Sequence, residues 1–348
     1  MKLGRRFLLG GSVLSAATGG AMAADPPPRQ LPARSLPVPG TVSPELRAVI
    51  AAPYPPGWDA VPQTAEAWRA LAQRSSAAIA PLMPAFRASL GVTVQAARIA
   101  GVPVFRITPR AIPERNRRRL LMHLHGGGYV LYPGEVGAGE GMLMAGLGGF
   151  EVVSVDYRMP PDHPFPAALD DATAVWRALL AENDASRMAI FGISAGGGLT
   201  LATVLHARDQ GIALPAAIAP GTPWVDLAGD GDSRNANAFV DNILVADTGW
   251  LGGAARLYAG GHDLRDPLIS PIHGDFHGLP PAIITTGTRD LFLSDSVRTH
   301  RKLRQAGIDA ALQVFEGMSH GQFVVPGVPE TTEAFREIAA FFDRHLAV

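Results

Sequence analysis

The 348-residue chain contains no cysteine, which excludes disulfide bonds, thiolate nucleophiles and cysteine-ligated zinc sites. It also lacks an excess of either charge, because 30 Lys and Arg residues face 31 Asp and Glu residues, for a net charge of −1. This balance gives no reason to expect a nucleic-acid partner or an anionic membrane surface. Hydrophobic residues make up 47% of the chain, a composition typical of a folded globular protein.

The N-terminus resembles a bacterial export signal, and no later segment is predicted to cross a membrane. Arg5-Arg6 precedes a weakly apolar stretch that ends at Ala21-Met22-Ala23, a suitable cleavage site. A membrane anchor is the alternative, but the apolar part is shorter than the roughly 20 residues that a spanning helix needs. We therefore expect residues 1–23 to be a cleaved twin-arginine signal, a periplasmic or secreted protein, and no stable membrane insertion.

Two segments precede the main domain. Residues 24–62 are rich in proline, including Pro26-Pro27-Pro28, and are predicted to be a linker or extended arm rather than a helix, because proline fixes φ and removes a donor. Residues 63–95 are predicted to contribute N-terminal cap helices. Their apolar residues, such as Leu71, recur at helical spacing.

Residues 96–348 alternate short apolar runs with helical stretches, which predicts an α/β fold with a mostly parallel central sheet covered by helices on both faces. The predicted strands are 102–107, 120–124, 152–155, 188–191, 216–219, 282–286 and 311–315. The predicted helices are 166–180, 195–209, 297–305 and 332–345. The stretch 224–275 shows no clear strand and is predicted to be an insertion that forms part of a helical cap over the site.

Ser194 is the candidate nucleophile. It lies in Gly192-Ile193-Ser194-Ala195-Gly196, between a strand-like and a helix-like segment, which is the context a nucleophile elbow requires. The flanking glycines remove side chains where strand and helix approach closely. A glycine-rich turn with Ser194 as a helix N-cap is the structural alternative.

His125-Gly126-Gly127-Gly128 follows a predicted strand and is the candidate oxyanion loop. Consecutive glycines let backbone N–H groups converge on an oxyanion without obstruction. The predicted donors are the amides of Gly127, Gly128 and Ala195, the last at a helix N-terminus. His125 and Gly126 are predicted to support the loop. A phosphate-binding loop is a weaker explanation, because no Lys-Ser or Lys-Thr pair follows.

Asp290 and His320 complete the predicted catalytic set, in the chain order Ser, Asp, His found in α/β-hydrolases. Asp290 follows the strand 282–286, and His320 follows the strand 311–315. Asp295 competes with Asp290, but its position at a helix start suggests capping. His262, His273 and His277 match no zinc motif and are expected to be solvated residues of the insertion. No metal site is expected.

These motifs together resemble the hormone-sensitive-lipase-like esterases, the bacterial branch known as family IV, over roughly residues 100–345. The resemblance includes the histidine–glycine loop, Asp156-Tyr157-Arg158, the run 163–171 and the three candidate catalytic residues. It implies an α/β-hydrolase fold with a helical cap, no cofactor, and hydrolysis of short acyl esters. Ile193 departs from the acidic residue often found before the nucleophile, and Gly198 replaces a common Asn.

The predicted activity is therefore hydrolysis of short- to medium-chain carboxylic esters through an acyl-enzyme. Two alternatives are a lactone hydrolase on the same three residues and a non-catalytic ligand-binding protein on a hydrolase scaffold. The expected partner is a small-molecule ester or lactone, and the sequence does not indicate an oligomeric state. The aromatic residues suggested as pocket walls are Tyr129, Trp224, Phe239 and Trp250.

Overall fold

The computed structural model describes residues 28–348, so the predicted export signal at residues 1–23 lies outside the described residues. Residues 28–36 contain no helix or strand. Residues 37–348 form a separate unit that contains every element described below. Within residues 28–348, no helix is both long enough and apolar enough to cross a bilayer.

The centre of this unit is an eight-stranded sheet, and it confirms the predicted α/β class. Its strands are β1 Val92–Ile99, β2 Val102–Pro109, β3 Leu120–Leu124, β4 Glu151–Val155, β5 Met188–Ile193, β6 Ala217–Gly221, β7 Ala282–Gly287 and β8 Ala310–Phe315. Their order across the sheet is β1-β2-β4-β3-β5-β6-β7-β8. Strands β3 to β8 pair in parallel, whereas β2 pairs antiparallel with both β1 and β4.

Helices cover both faces of the sheet. They are α1 Pro44–Ile50, α2 Ala65–Ile79, α3 Met83–Leu90, α4 Gly139–Leu143, α5 Ala167–Leu180, α6 Ala195–Asp209, α7 Ser233–Ala236, α8 Trp250–Ala259, α9 Leu293–Gln305 and α10 Pro329–His345. Side chains alternate between two cores: Met122 and Leu124 of β3 pack with α5 and α6, whereas Leu121 packs with α4 and α10. A parallel sheet buried on both faces has this arrangement, which explains its nearly continuous apolar strands.

The structure corrects the expectation that residues 24–62 contain no helix, because α1 lies within them. Ser43 caps α1 by accepting a hydrogen bond from the Leu46 amide at 3.1 Å, and Pro44 occupies the first turn, where no amide donor is needed. Glu330 of α10 in turn accepts hydrogen bonds from the Ser43 amide at 2.8 Å and hydroxyl at 2.7 Å. Proline therefore starts this helix rather than preventing it.

A second difference concerns residues 63–95, the predicted cap helices. Helices α2 and α3 lie in this range, but strand β1 already begins at Val92. β1 and β2 form a hairpin around Ala100 and Gly101, whose φ values of 50° and 83° place both in the left-handed region. This Ala-Gly turn lacks the usual Asn-Gly or Asp-Gly signal, which explains why the sequence did not reveal β1. Helix α4 was also not predicted.

Candidate active site

Strands β3, β5, β7 and β8 end at one edge of the sheet, and each predicted site residue follows one of these ends. The register pairs Leu124 with Gly192 and Gly287 with Phe315, so the ends of neighbouring strands are level. The carboxyl edge of a parallel sheet is where α/β proteins assemble their sites. The topology thus brings together segments up to 195 residues apart in sequence, from His125 to His320.

Ser194 occupies the sharp turn between β5 and α6. Its backbone has φ 59° and ψ −121°, a strained conformation for a residue with a side chain, and its amide donates to the Gly221 carbonyl at 2.8 Å. The turn depends on its two glycines. A Cβ atom at Gly192 would lie 2.1 Å from the Leu124 carbonyl oxygen, and one at Gly196 would lie 1.9 Å from the same atom. Ser194 is therefore held at the end of β5 by close backbone packing.

The glycine loop lies directly against this turn. A Cβ atom at Gly126 would lie 3.3 Å from the Ser194 Cβ. Gly127 and Gly128 have φ values of 101° and 61°, and among residues 28–348 no backbone carbonyl accepts from their amides. Ala195 is the first residue of α6, where amides have no acceptor within the helix. Three predicted donors therefore have uncommitted backbone amides beside Ser194.

His125 supports the glycine loop from within the protein. Its Nδ1 lies 2.7 Å from the Gly126 carbonyl oxygen, an acceptor, so Nδ1 carries the proton. The ring stacks on Tyr157 with 4.2 Å between centroids, and the Tyr157 hydroxyl donates to the His125 carbonyl at 2.7 Å. Burial lowers the pKa of His125 to about 4 from its usual 6.5. A neutral, buried imidazole of this kind is a structural element of the loop.

Asp290 and His320 form a buried pair. His320 Nδ1 lies 3.0 Å from Asp290 Oδ1, which also accepts from the Phe292 amide at 2.8 Å, and the Thr286 hydroxyl donates to Oδ2 at 2.8 Å. His320 Nε2 has no hydrogen-bond partner among residues 28–348, so it forms no hydrogen bond with the Ser194 hydroxyl. Ser194 and His320 nevertheless line the same cavity. The loops that carry them are close, because a Cβ atom at Gly321 would lie 3.1 Å from Ile193 Cδ1. Nε2 is therefore an uncommitted acceptor beside the Ser194 turn.

Asp295, the competing carboxylate, is placed elsewhere, and the helix-capping role expected of it is wrong. Helix α9 begins at Leu293, two residues earlier. Asp295 Oδ2 accepts from the Val225 and Asp226 amides, both at 3.2 Å, and pairs with Arg234 at 3.1 Å. Burial raises its pKa to about 6 despite the arginine. Asp295 therefore connects α9 to the start of the insertion.

Asp241, a fully buried carboxylate in the insertion, was not predicted from the sequence. Its Oδ2 accepts hydrogen bonds from the Leu291 amide at 2.8 Å and the His320 amide at 3.1 Å. Its Oδ1 accepts from the Ile243 and Leu244 amides at 2.8 and 3.0 Å. Burial, followed by the charge of Asp290, raises the pKa of Asp241. One carboxylate thus connects the loops that carry Asp290 and His320, and no local sequence signal identifies it.

Ser194, His320 and the glycine loop open into a cavity of about 980 Å³. Many of the residues that line it are apolar, and the N-terminal helices and α8 contribute Leu71, Met83, Phe86 and Trp250. Helix α8 packs on the N-terminal segment, where the Trp250 amide donates to the Trp58 carbonyl at 3.3 Å. The insertion and the N-terminal segment therefore enclose the cavity together.

Of the four suggested wall residues, only Trp250 lines this cavity, and the other three suggestions are wrong. Tyr129 stacks on Tyr258 at 3.6 Å within the core, and Trp224 stacks on Phe292 at 5.5 Å. Phe239 is 59% exposed. Sequence position near the site did not reveal which way these rings face.

One group of residues within 28–348 has the geometry of a cation site, and it does not fit that function well. Potential ligand atoms of Asp226, Asp230 and His273 lie within 4.8 Å of one another. Arg298 already pairs with Asp226, and Arg265 pairs with Asp230 at 2.8 Å. These arginines neutralise both carboxylates and would repel a cation.

Comparisons with known proteins agree with this geometry. The family model described as "alpha/beta hydrolase fold" matches residues 121–324. The putative acetyl-hydrolase LipR of Mycobacterium tuberculosis is 34% identical over 272 residues, which cover 77% of this chain and 86% of that protein. The crystal structure of an esterase E25 superposes with a TM-score of 0.89 at 42% identity, covering 92% of this chain and 99% of that one. An esterase from the bacterial hormone-sensitive lipase family has a TM-score of 0.72 at 30% identity, covering 88% and 99%.

Proposed function

The chain belongs to the hormone-sensitive-lipase-like, family IV esterases of the α/β-hydrolase superfamily and is a carboxylesterase-type hydrolase, and on that premise we propose that Ser194, His320 and Asp290 cleave short- to medium-chain acyl esters. The observation that carries the proposal is the orientation of His320. Its Nδ1 is held by buried Asp290, while its Nε2 is left without a partner at the cavity that Ser194 also lines.

In this mechanism, the Ser194 hydroxyl attacks the ester carbonyl carbon while His320 Nε2 takes its proton. The negative carbonyl oxygen is stabilised by the amides of Gly127, Gly128 and Ala195. His320 then gives the proton to the departing alcohol, which leaves an acyl group on Ser194. A water molecule, deprotonated by the same Nε2, attacks this acyl-enzyme, and His320 returns the proton to the Ser194 oxygen as the carboxylic acid leaves. Asp290 keeps the imidazole in the tautomer that has a free Nε2 and stabilises the imidazolium.

The missing hydrogen bond between Ser194 and His320 is compatible with this mechanism. Hydrogen bonds between a nucleophile and its base are often long or poorly aligned without substrate, and they shorten in the complex. The strained backbone of Ser194 is held by neighbouring backbone atoms and does not need to change.

The decisive experiment compares wild type with Ser194→Ala on p-nitrophenyl butyrate. We expect kcat to fall by a factor on the order of 10⁶, by analogy with a subtilisin-type nucleophile. A fluorophosphonate should label wild type and not the variant, which separates an enzyme from a ligand-binding protein. Ser89→Ala is a matched control, because that hydroxyl lines the same cavity but donates to the Phe86 carbonyl. Full turnover or labelling in Ser194→Ala would refute the assignment.

The apolar cavity supports a dependence on acyl length. Each methylene buried in an apolar site contributes about 0.8 kcal/mol, which corresponds to about a fourfold rise in kcat/KM. We expect this rise from acetate through butyrate to hexanoate esters and a decline once the chain exceeds the cavity. A lactone of matched length belongs in the same series. Faster opening of the lactone than of every open-chain ester would favour the lactone-hydrolase alternative.

We also propose that the protein is exported, on the basis of Arg5-Arg6 and the Ala21-Met22-Ala23 site. Expression of the full chain in a bacterium with a twin-arginine pathway tests this proposal. N-terminal sequencing of the periplasmic product should begin at Ala24. Retention in the cytoplasm with Met1 intact, or replacement of Arg5-Arg6 by Lys-Lys without effect, would contradict it.

A further inference from the structure

The wall of the apolar cavity contains a single carboxylate. Among the residues of 28–348 that line the cavity, Glu140 is the only Asp or Glu, and no Lys or Arg accompanies it. Glu140 lies on α4 and is 8% exposed. A buried carboxylate in apolar surroundings destabilises a protein unless its oxygens receive hydrogen bonds. The mechanism proposed above does not use Glu140, so its presence needs another explanation.

Glu140 is held in place by a buried network. Its Oε2 lies 2.9 Å from His123 Nε2, and His123 Nδ1 lies 2.8 Å from the Ser154 hydroxyl. His123 on β3 and Ser154 on β4 are paired in register and are 0% and 1% exposed. An N–H at Nε2 donates to Glu140, and Nδ1 is within hydrogen-bond distance of the Ser154 hydroxyl, so both ring nitrogens have a partner.

Only half of the carboxylate is used by this network. The structure gives Glu140 Oε1 no hydrogen-bond donor within residues 28–348, and Oε1 is not among the fully enclosed polar atoms that lack a partner. Oε1 is therefore accessible, and the accessible space next to Glu140 is the cavity.

The close approach of α4 to the sheet is built into the sequence. A Cβ atom at Gly141 would lie 2.9 Å from Ile107 Cδ1 and 3.3 Å from His123 Nδ1. The glycine lets α4 approach β3 closely enough for Glu140 to reach His123. A helix that only closed an apolar cavity would place an apolar side chain at position 140, because an apolar wall needs no buried partner.

From this arrangement we infer that Glu140 determines specificity: it accepts a hydrogen bond from a hydroxyl or amino group on the apolar part of the substrate. The inference rests on the proposed ester hydrolysis at Ser194 and adds a substrate class to it. The preferred ester is amphipathic, with a donor set apart from the ester bond by an alkyl spacer. A hydrogen bond to a charged group contributes about 1.5–3 kcal/mol, or about a 10- to 150-fold preference.

The test uses matched nitrophenyl esters of alkanoic acids and matched alkyl acetates. In each pair one member carries a hydroxyl or ammonium group on the chain, at successive carbons, and the other carries hydrogen. The measured quantity is the ratio of kcat/KM for the donor ester to that for its alkyl partner, so repacking effects common to both cancel. In wild type we expect one position to give a ratio at least tenfold above those at the other positions.

The variants separate the two donor types. Glu140→Leu should lower the ratio at that position at least tenfold for both donors. Glu140→Gln keeps a carbonyl acceptor but loses the charge, so it should lower the ammonium ratio more than the hydroxyl ratio. Ser89→Ala is the control at the same cavity and should leave both ratios unchanged. Ratios that are the same in wild type, Glu140→Leu and Glu140→Gln would overturn the inference.

Two further measurements keep the outcomes distinct. If the Glu140 variants do not fold, inhibition of wild type by linear alcohols and by the matching diols and amino alcohols replaces them. At least tenfold stronger inhibition by one donor-bearing compound is then expected, and equal inhibition by all overturns the inference. If wild type hydrolyses none of the alkyl esters, the proposed function itself fails. Hydrolysis of alkyl esters with no donor preference removes only the role of Glu140.

Discussion

Because His125 is buried with a lowered pKa, the protein should lose stability in mild acid, and replacing His125 should remove that part of the loss. The folded pKa is about 4, whereas an unfolded histidine titrates near 6.5. As pH falls below 6.5, His125 becomes protonated in the unfolded chain but stays neutral in the folded protein. Folding stability therefore decreases, and the decrease is complete only below pH 4. Protonation would create a buried Nε2–H with no acceptor within residues 28–348.

The magnitude follows from the two pKa values. Linkage gives a loss of about 2 kcal/mol between pH 7 and pH 5 and about 3 kcal/mol by pH 4 from this one group. The assay is urea unfolding followed by fluorescence at a series of pH values. His125→Phe keeps the stacking on Tyr157, and His125→Asn keeps a donor, but neither titrates.

Both variants should be less stable than wild type at pH 7 and should show a shallower loss towards pH 5. The difference between variant and wild type should therefore shrink by about 2 kcal/mol over that range. Agreement between the two variants would assign the effect to the imidazole rather than to the lost contact. Parallel curves for wild type and both variants would show that His125 is not buried as a neutral ring, and the reasoning would be refuted.

Three further predictions concern the surroundings of the site. Asp290→Asn should lower kcat by about 10⁴, because the amide favours the wrong imidazole tautomer, whereas Asp295→Asn should act mainly on the melting temperature. Similar kcat losses in the two variants would contradict the assignment of Asp290, rather than Asp295, as the partner of the catalytic histidine. Asp241→Asn puts an amide group against backbone N–H donors and should reduce the free energy of unfolding by about 2–4 kcal/mol, with a loss of kcat beyond that of Asp295→Asn. Unchanged kcat in a folded Asp241→Asn would contradict its role in positioning the two loops. Gly196→Ala should abolish the soluble, active protein, because its Cβ would overlap the Leu124 carbonyl, whereas Gly40→Ala meets no atom within 4 Å and should behave as wild type in expression and activity assays. An active Gly196→Ala would contradict the close packing of the turn.

The sequence by itself determined the class of fold and the candidate catalytic residues, because both depend on local patterns. The apolar runs identified seven of the eight strands, and the helix from Ala195 to Asp209 was predicted with its observed bounds. Parallel strands must end at a common edge, so residues that follow strands, such as Ser194 and His320, could be assigned to one site without coordinates.

Local helix and strand patterns failed where the signal depended on contacts with distant residues. The cap of the helix at Pro44–Ile50 is held by Glu330, a distant residue that accepts a hydrogen bond from the Ser43 amide. Tyr129 and Trp224 are aromatic residues near the site in sequence, but their rings pack on other core rings instead of the cavity.

Only the tertiary structure decided what each buried carboxylate contacts. Sequence context favoured Asp290 over Asp295 as the candidate catalytic carboxylate, but it gave Asp295 the wrong role and did not identify Asp241. Their hydrogen-bond partners come from other segments: His320 for Asp290, the amides of two loops for Asp241, and Arg234 for Asp295. The same holds for Glu140, which a helix and two strands together bring into an apolar wall. A charge buried in a protein is defined by what surrounds it in space, and sequence spacing alone does not contain that information.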